Sequence, residues 1–151
     1  MSGSMSVRIP ETLDGYNTFI SNISKEQETC VSLYTFNCEC KPVYREIPLN
    51  DVPILTSENY EPYGNTALFD AMGSIISLNE PATLVVLTDG FENASFMYSK
   101  DSIKELIESS EWNIIYIGAD LECANDIGVR KSMEYFGDDT AKAFEFASQS
   151  I

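Results

Sequence analysis

Three short segments of the sequence carry polar side chains at points where a binding site could form. Ser2 and Ser4 precede the first predicted helix. Thr66 follows a glycine at the entry to a later helix, and Asp89 ends an apolar run ahead of Gly90. Each segment has a plain structural explanation, because threonine caps helices and Asp-Gly forms ordinary turns. Their order along the chain is what suggests a shared site of hydroxyl and carboxylate oxygens at one edge of a sheet.

Other kinds of chemistry lack the residues that they need. The chain has no histidine, so Ser/His/Asp and Cys/His arrangements are absent, as is the commonest general base. No glycine-rich nucleotide-binding motif occurs. The four cysteines, without an export signal at the start of the chain, are typical of reduced thiols in a cytosol; they are Cys30, Cys38, Cys40 and Cys123. We therefore expect a cytoplasmic protein that is not an enzyme.

The charge and length of the chain limit its partners and its organisation. A formal net charge of −15 disfavours nucleic acid and anionic membranes, because both would be repelled. No apolar run approaches the length needed to span a bilayer. A chain of 151 residues is long enough for a single hydrophobic core. We expect one domain over residues 1–151, with no nucleic acid and no membrane among its partners.

The apolar pattern predicts alternating strands and helices. Residues 82–87 and 112–117 are continuous apolar runs, typical of parallel strands covered on both faces. Helical spacing or a capping residue predicts helices at 12–23, 66–78, 100–109, 123–127 and from 140, and further strands are predicted at 30–36, 42–47 and 133–136. This order predicts an α/β fold with a mainly parallel sheet between helices. Ligands of such folds bind outside the carboxyl ends of the strands, where Asp89 lies.

Three motifs resemble the metal-binding loops of a von Willebrand factor A (vWA) domain, in particular the small single-domain microbial and phage type. They are Ser2-Gly3-Ser4-Met5, Tyr63-Gly64-Asn65-Thr66-Ala67-Leu68 and Thr88-Asp89-Gly90-Phe91-Glu92-Asn93. The resemblance runs from Ser2 to the C-terminus. It implies a Rossmann-like three-layer sandwich whose mainly parallel central sheet has one antiparallel edge strand and helices on both faces. The family's first strand, and the aspartate of its Asp-x-Ser-x-Ser motif, are absent from this sequence.

The resemblance also implies a function and a set of metal ligands. Ser2, Ser4 and Thr66 would coordinate a divalent cation through their hydroxyls, and Asp89 would do so directly or through water. These are hard oxygen ligands, which suit Mg²⁺, with Mn²⁺ or Ca²⁺ as substitutes. A protein partner would supply an Asp or Glu to the remaining coordination position. Because one carboxylate stands where the family has two, we expect a weakened affinity for the ion.

Several alternatives stay open at this stage. Without the first strand, its two neighbours would have unpaired backbone groups, so the natural protein begins upstream, another chain supplies the strand, or the remaining strands close the gap. An unpaired edge would also allow a homo-oligomer. If Met-Ser-Gly-Ser is a cloning remnant, Ser2 and Ser4 leave the site. The alternative function is a metal-independent protein interaction or assembly module with a vestigial metal site.

Overall fold

The computed structural model describes residues 9–23, 29–56, 65–88, 90–135 and 140–150, and these ranges form an α/β fold. The elements in chain order are α1 (Ile9–Asn22), β1 (Cys30–Phe36), β2 (Cys40–Pro48), a 3-10 turn (Leu49–Asp51), α2 (Leu68–Leu78), β3 (Thr83–Thr88), α3 (Lys100–Ser109), β4 (Asn113–Gly118), α4 (Leu121–Asp126), β5 (Lys131–Glu134) and α5 (Thr140–Ser150). The α/β class is confirmed, and each predicted element is present within a few residues of its expected place.

The strands form two separate sheets. β1 pairs with β2 in an antiparallel hairpin, while β3, β4 and β5 form a parallel sheet with β4 in the middle. The family resemblance implied one mainly parallel sheet with a single antiparallel edge strand, and the described strands differ from that expectation. Among the described ranges, β1 pairs only with β2 and β3 pairs only with β4, so the hairpin and the parallel sheet are separate ladders.

Two hydrophobic clusters define the layers of the molecule. One cluster lies between the sheets and α2, α3 and α4, and the other lies between the sheets and α1 and α5. Successive residues of β4 alternate between them, with Ile114 and Tyr116 in the first cluster and Ile115 and Ile117 in the second. All four side chains are buried, as expected for a central parallel strand. Helices therefore cover both faces of the strands.

Two helix starts test the predicted capping residues. Ser99 caps α3, and its hydroxyl accepts the N–H of Ser102 at 3.1 Å in a capping box, so this prediction is confirmed. The predicted start of α2 at Thr66 is wrong. The helix begins at Leu68 with Ala67 as its N-cap, and no side chain of that cap bonds the first turn. Other residues must therefore satisfy the exposed amides of α2.

Candidate functional site

The structure describes one of the four predicted metal ligands. Ser2, Ser4 and Asp89 lie outside the described residues. Thr66 lies two residues ahead of α2 and is only 4% exposed. The geometry of the candidate site must therefore be built from Thr66 and from the residues that flank Asp89.

The loop after β3 packs directly against Thr66. We call residues 90–99 the β3–α3 loop. At its start, the Gly90 N–H donates to the hydroxyl of Thr88 at 3.1 Å, so the loop begins in contact with the carboxyl end of β3. Further along, the Thr66 N–H donates to Oδ1 of Asn93 at 2.9 Å, and the Asn93 N–H donates back to the Thr66 carbonyl at 2.9 Å. Thr66 therefore lies against the segment that follows Asp89, at the carboxyl end of β3.

The same loop caps the N-terminus of α2. Oε1 of Glu92 accepts the N–H of Phe69 at 3.0 Å, and the hydroxyl of Ser95 accepts the N–H of Asp70 at 3.0 Å. Oε2 of Glu92 accepts the N–H of Ala94 at 3.0 Å and that of Ser95 at 3.1 Å, which holds the loop in a tight turn. A glutamate that is remote in sequence therefore performs the capping that a local side chain performs in most helices.

Asp70 completes this connection from the helix side. Its side chain lies in the first turn of α2 and the residue is only 5% exposed. Oδ2 accepts the N–H of Phe96 at 2.9 Å, and Oδ1 accepts the N–H groups of Met97 and Tyr98, both at 2.9 Å. Three amides thus balance a buried negative charge. We call the bonds of Asp70, Glu92, Asn93 and Ser95 the α2–loop network.

The hydrogen bonds of the α2–loop network occupy carboxylate oxygens that could otherwise bind a cation. The carboxylate oxygens of Asp70 and Glu92 all accept backbone N–H groups, so both acids serve the fold. In the ranges that the structure describes, no group of three or more His, Cys, Asp or Glu residues could hold a metal ion. Thr66, in contrast, bonds Asn93 through its backbone, and its hydroxyl does not cap α2. The Thr66 hydroxyl is a buried oxygen atom of the kind that hard cations bind.

The end of β4 lies beside this edge and is tightly packed. A methyl group in place of the Gly118 hydrogen would lie 2.8 Å from the carbonyl oxygen of Thr88 and would collide with the Tyr116 hydroxyl. Only glycine lets β3 and β4 approach so closely here. The Tyr116 hydroxyl accepts the N–H of Asp120 at 3.3 Å, and burial raises the pKa of this phenol to about 12. The phenol of Tyr116 is therefore neutral at physiological pH, and the contacts around Gly118 leave no room for a larger side chain.

Asp120, the other acid at a strand end, also has a structural partner. Its Oδ1 accepts the N–H of Cys123 at 3.0 Å and caps α4. Burial, with a smaller contribution from the Asp120 charge, raises the pKa of the Cys123 thiol to about 11. Cys123 is thus a protonated core side chain rather than a metal-binding thiolate.

Apolar side chains project from the β3–α3 loop into solvent. Phe91 is 56% exposed, Phe96 83% and Met97 59%. The backbone N–H groups of Phe96 and Met97 donate to the Asp70 carboxylate, so the backbone that carries these two side chains is held in place. Exposed aromatic and methionine side chains are enriched at protein interfaces. The loop therefore offers contact surface next to Thr66.

A groove of about 680 Å³ lies elsewhere, between α1 and α5. Its lining includes Asp14, Phe19, Phe144 and Glu145, and no residue of α2 or of the β3–α3 loop. It is therefore separate from the candidate site.

No protein-family model matches the chain, and no curated protein matches it. No helix in the described part of the chain is both long enough and apolar enough to cross a membrane.

The sequence reasoning missed the α2–loop network. Glu92 and Asn93 lie within the motifs but were given no role, and Asp70 was not singled out. One signal was available, because Asp70 interrupts an otherwise apolar first turn that contains Leu68, Phe69 and Met72. A lone acid in such a position needs a local source of N–H groups.

Proposed function

We propose that this chain is a metal-ion-dependent protein-binding domain of the vWA type, with a Rossmann-like three-layer fold. In this proposal Thr66 and Asp89, with Ser2 and Ser4, hold a divalent cation, preferentially Mg²⁺. The ion supplies a positive centre that binds an Asp or Glu carboxylate of a protein partner. The cation makes the contact, and no bond in either protein is broken.

The observation that carries the proposal is the fixed position of Thr66 against the loop that follows Asp89. Both hydrogen bonds between Thr66 and Asn93 are 2.9 Å long, and they join segments that are remote in sequence. A weak cation site gains affinity when its ligands are positioned before the ion arrives, because less ordering is needed on binding. The α2–loop network provides that positioning on the Thr66 side.

The four cysteines support a place for this function in a reducing compartment. All four are free thiols in the described structure, including the exposed Cys30 and Cys38. A cytoplasmic location is therefore part of the proposal.

Thermal unfolding with controlled metal tests the proposal. We expect EDTA-treated protein to gain stability on addition of MgCl₂, by about 2.7 kcal/mol at a hundred times the dissociation constant. Asp89→Ala and Thr66→Val should lose most of this gain. Thr66→Val should unfold like the parent chain in EDTA, because the Thr66 hydroxyl does not cap α2.

Partner capture provides the second half of the test. Immobilised protein should retain an acidic peptide in Mg²⁺ and release it in EDTA, and Asp89→Ala should retain none. Equal retention by the parent chain and Asp89→Ala, with and without EDTA, would falsify the proposal.

A specific observation favours the alternative of a metal-independent interaction module. Asp70 and Glu92, the described acids next to Thr66, are both engaged by amides, while Phe91, Phe96 and Met97 project into solvent. In that case recognition would depend on the apolar side chains of the β3–α3 loop. Phe96→Ser would then abolish partner capture and EDTA would not affect it.

A further inference from the structure

The groove between α1 and α5 has the size of a small-molecule site. Its volume is about 680 Å³, and ligand pockets typically measure about 300–1,000 Å³. Exposed residues spaced four apart form its two walls; they are Asp14, Thr18 and Asn22 on α1, and Ala141, Glu145 and Gln149 on α5. Each wall covers about two helical turns, or about 12 Å. The α1–α5 groove can therefore hold an extended small molecule along the helices.

Aromatic rings contribute the floor of the α1–α5 groove. The ring centroids of Phe19 and Phe144 are 5.8 Å apart, and Tyr16 meets Phe144 edge to face at 6.4 Å. Gly15 lets the two helices approach this closely, because a Cβ atom there would lie 2.5 Å from the Phe144 ring. The faces of aromatic rings carry partial negative charge and attract cations. The floor therefore favours an apolar chain that carries positive charge.

The walls add negative charge that no described residue neutralises. Asp14 lies on one wall and Glu145 on the other. The described structure shows no hydrogen bond and no ion pair to either carboxylate, and the described lining contains no basic side chain. The net charge of −15 also draws cations towards the surface of the molecule. The α1–α5 groove is thus complementary to a cationic ligand.

The small apolar area of the floor limits the class of ligand. Phe19 and Phe144 are only 8% and 7% exposed, so they offer little surface to a docked helix. A stable protein interface buries about 800 Å² on each partner around an apolar centre. A metal ion is also a poor fit, because in the described ranges no group of three or more His, Cys, Asp or Glu residues could hold one. A flexible aliphatic cation needs less apolar contact and can reach the carboxylates of both walls.

We propose that the α1–α5 groove binds an aliphatic polyamine. Its ammonium groups pair with the carboxylates of Asp14 and Glu145, and the methylene groups between them lie over the aromatic floor. The side-chain amide oxygens of Asn22 and Gln149 accept further N–H groups of the ligand. Binding forms and breaks no covalent bond. The groove shares no residue with the proposed metal site, so either proposal can fail without the other.

Titration of metal-free protein with spermidine tests the proposal. We expect saturable binding in isothermal titration calorimetry, and the largest amide shift changes in NMR should lie within α1 and α5. Hexaamminecobalt(III) is the control ligand, because it has the same charge as spermidine but no methylene chain. It should bind several-fold more weakly, since only the methylene chain gains from contact with the aromatic floor.

Matched double variants separate the groove from the net charge of the chain. Asp14→Asn combined with Glu145→Gln should weaken spermidine binding by about fivefold or more, because both ion pairs are lost. Asp101→Asn combined with Glu105→Gln removes the same charge from exposed positions of α3. This control should change the Kd by less than about twofold, because salt screens distant charges.

A second pair of variants blocks the groove without removing an acid. Thr18→Lys places a competing ammonium group on the wall of α1 and should abolish spermidine binding. Ser21→Lys adds the same charge at an exposed position of α1 outside the lining and should retain binding. Absence of saturable binding, retention by Thr18→Lys, equal weakening by the two double variants, or equal affinity for both ligands would overturn the proposal.

Discussion

Asp70 shows how a single residue can hold two distant segments together. Its carboxylate accepts three amides of the β3–α3 loop, and its own N–H donates to Ser95. Hydrogen bonds to a charged group contribute about 1.5–3 kcal/mol each, more than bonds between neutral groups. Asp70 is therefore expected to dominate the stability of this edge of the sheet, although no metal or partner contacts it in our proposal.

Asp70→Asn should destabilise the protein by about 2–4 kcal/mol. The asparagine NH₂ group would face amide donors, so at least one buried N–H would lose its acceptor. Urea unfolding of the parent chain and the variant measures the difference. Asp101→Asn is the matched control, since Asp101 is an exposed acid in the first turn of α3. If both variants unfold at the same urea concentration, the three amide bonds do not carry this stability.

Tyr116 gives the protein a defined sensitivity to alkali. Burial raises the pKa of the folded phenol from 10.0 to about 12. Between these pH values the unfolded chain releases the proton while the folded chain keeps it, so stability falls as pH rises. The stabilisation is fully present below pH 10, and about 2–3 kcal/mol of it is lost by pH 12.

The variant Tyr116→Phe tests the predicted fall in stability as the pH rises from 10 to 12. We expect the variant to be less stable than the parent chain at pH 8, because the Asp120 N–H loses its acceptor, but to lose less stability between pH 10 and 12. Burial also raises the pKa values of Tyr16 and Tyr44, so both proteins will weaken in alkali and the difference between them isolates Tyr116. Parallel stability curves over this pH range would contradict the assignment.

At the scale of elements, the β3–α3 loop and α2 behave as one unit. Glu92 bonds three amides, two in its own loop and one in the helix. Glu92→Ala should therefore speed amide exchange at Phe69, Ala94 and Ser95 by tenfold or more, because about 1.4 kcal/mol of lost protection corresponds to a factor of ten. It should also reduce the Mg²⁺-dependent gain in stability, because Thr66 would be held less firmly.

Glu105→Ala controls for the loss of an acid. Glu105 is exposed on α3, so Glu105→Ala makes the same substitution as Glu92→Ala at a site outside the α2–loop network. We expect normal exchange and a normal response to Mg²⁺ in this variant. Faster amide exchange in Glu92→Ala with an unchanged response to Mg²⁺ would show that metal binding does not depend on the order of the β3–α3 loop.

The sequence predicted elements well where a local pattern specifies them. The continuous run Leu84 to Leu87 and the apolar spacing of α3 act over a few residues, so they can be recognised without the fold. The α2–loop network could not be predicted in this way. Asp70 bonds amides 26 to 28 residues away, and any residue type at 96–98 supplies the same N–H groups. Thr66 resembled an N-cap for the same reason, because the competing cap, Glu92, is remote.

The arrangement of the strands was predicted only in part. The antiparallel pairing of β1 with β2 follows from the short turn between them, and the parallel pairing of β3 with β4 follows from the intervening helix. Whether the hairpin joins the parallel sheet depends on the contacts of β1 and β3 across their second edges. Those contacts are long-range, and no local pattern in either strand specifies them.

At the scale of the whole molecule, the negative charge should weaken the folded state. The chain has 24 acidic and 9 basic residues, so compaction brings like charges together. The ion pairs in the described part of the chain are exposed, for example Lys100–Asp126 at 3.0 Å and Lys41–Glu39 at 3.0 Å. Exposed pairs contribute little to stability, because solvent and salt screen the attraction. General repulsion should therefore outweigh them, and screening should stabilise the protein.

Raising KCl from 0.01 M to 0.1 M shortens the Debye length from about 30 Å to about 10 Å, so we expect the Tm in EDTA to rise by a few degrees. This effect is non-specific and should be the same in the parent chain, Asp89→Ala and Thr66→Val. MgCl₂ at equal ionic strength should raise the Tm of the parent chain further and leave both variants at their KCl value. A Tm that falls with KCl would mean that local ion pairs, rather than net repulsion, control the stability. An equal response of all three proteins to MgCl₂ would assign its effect to screening alone.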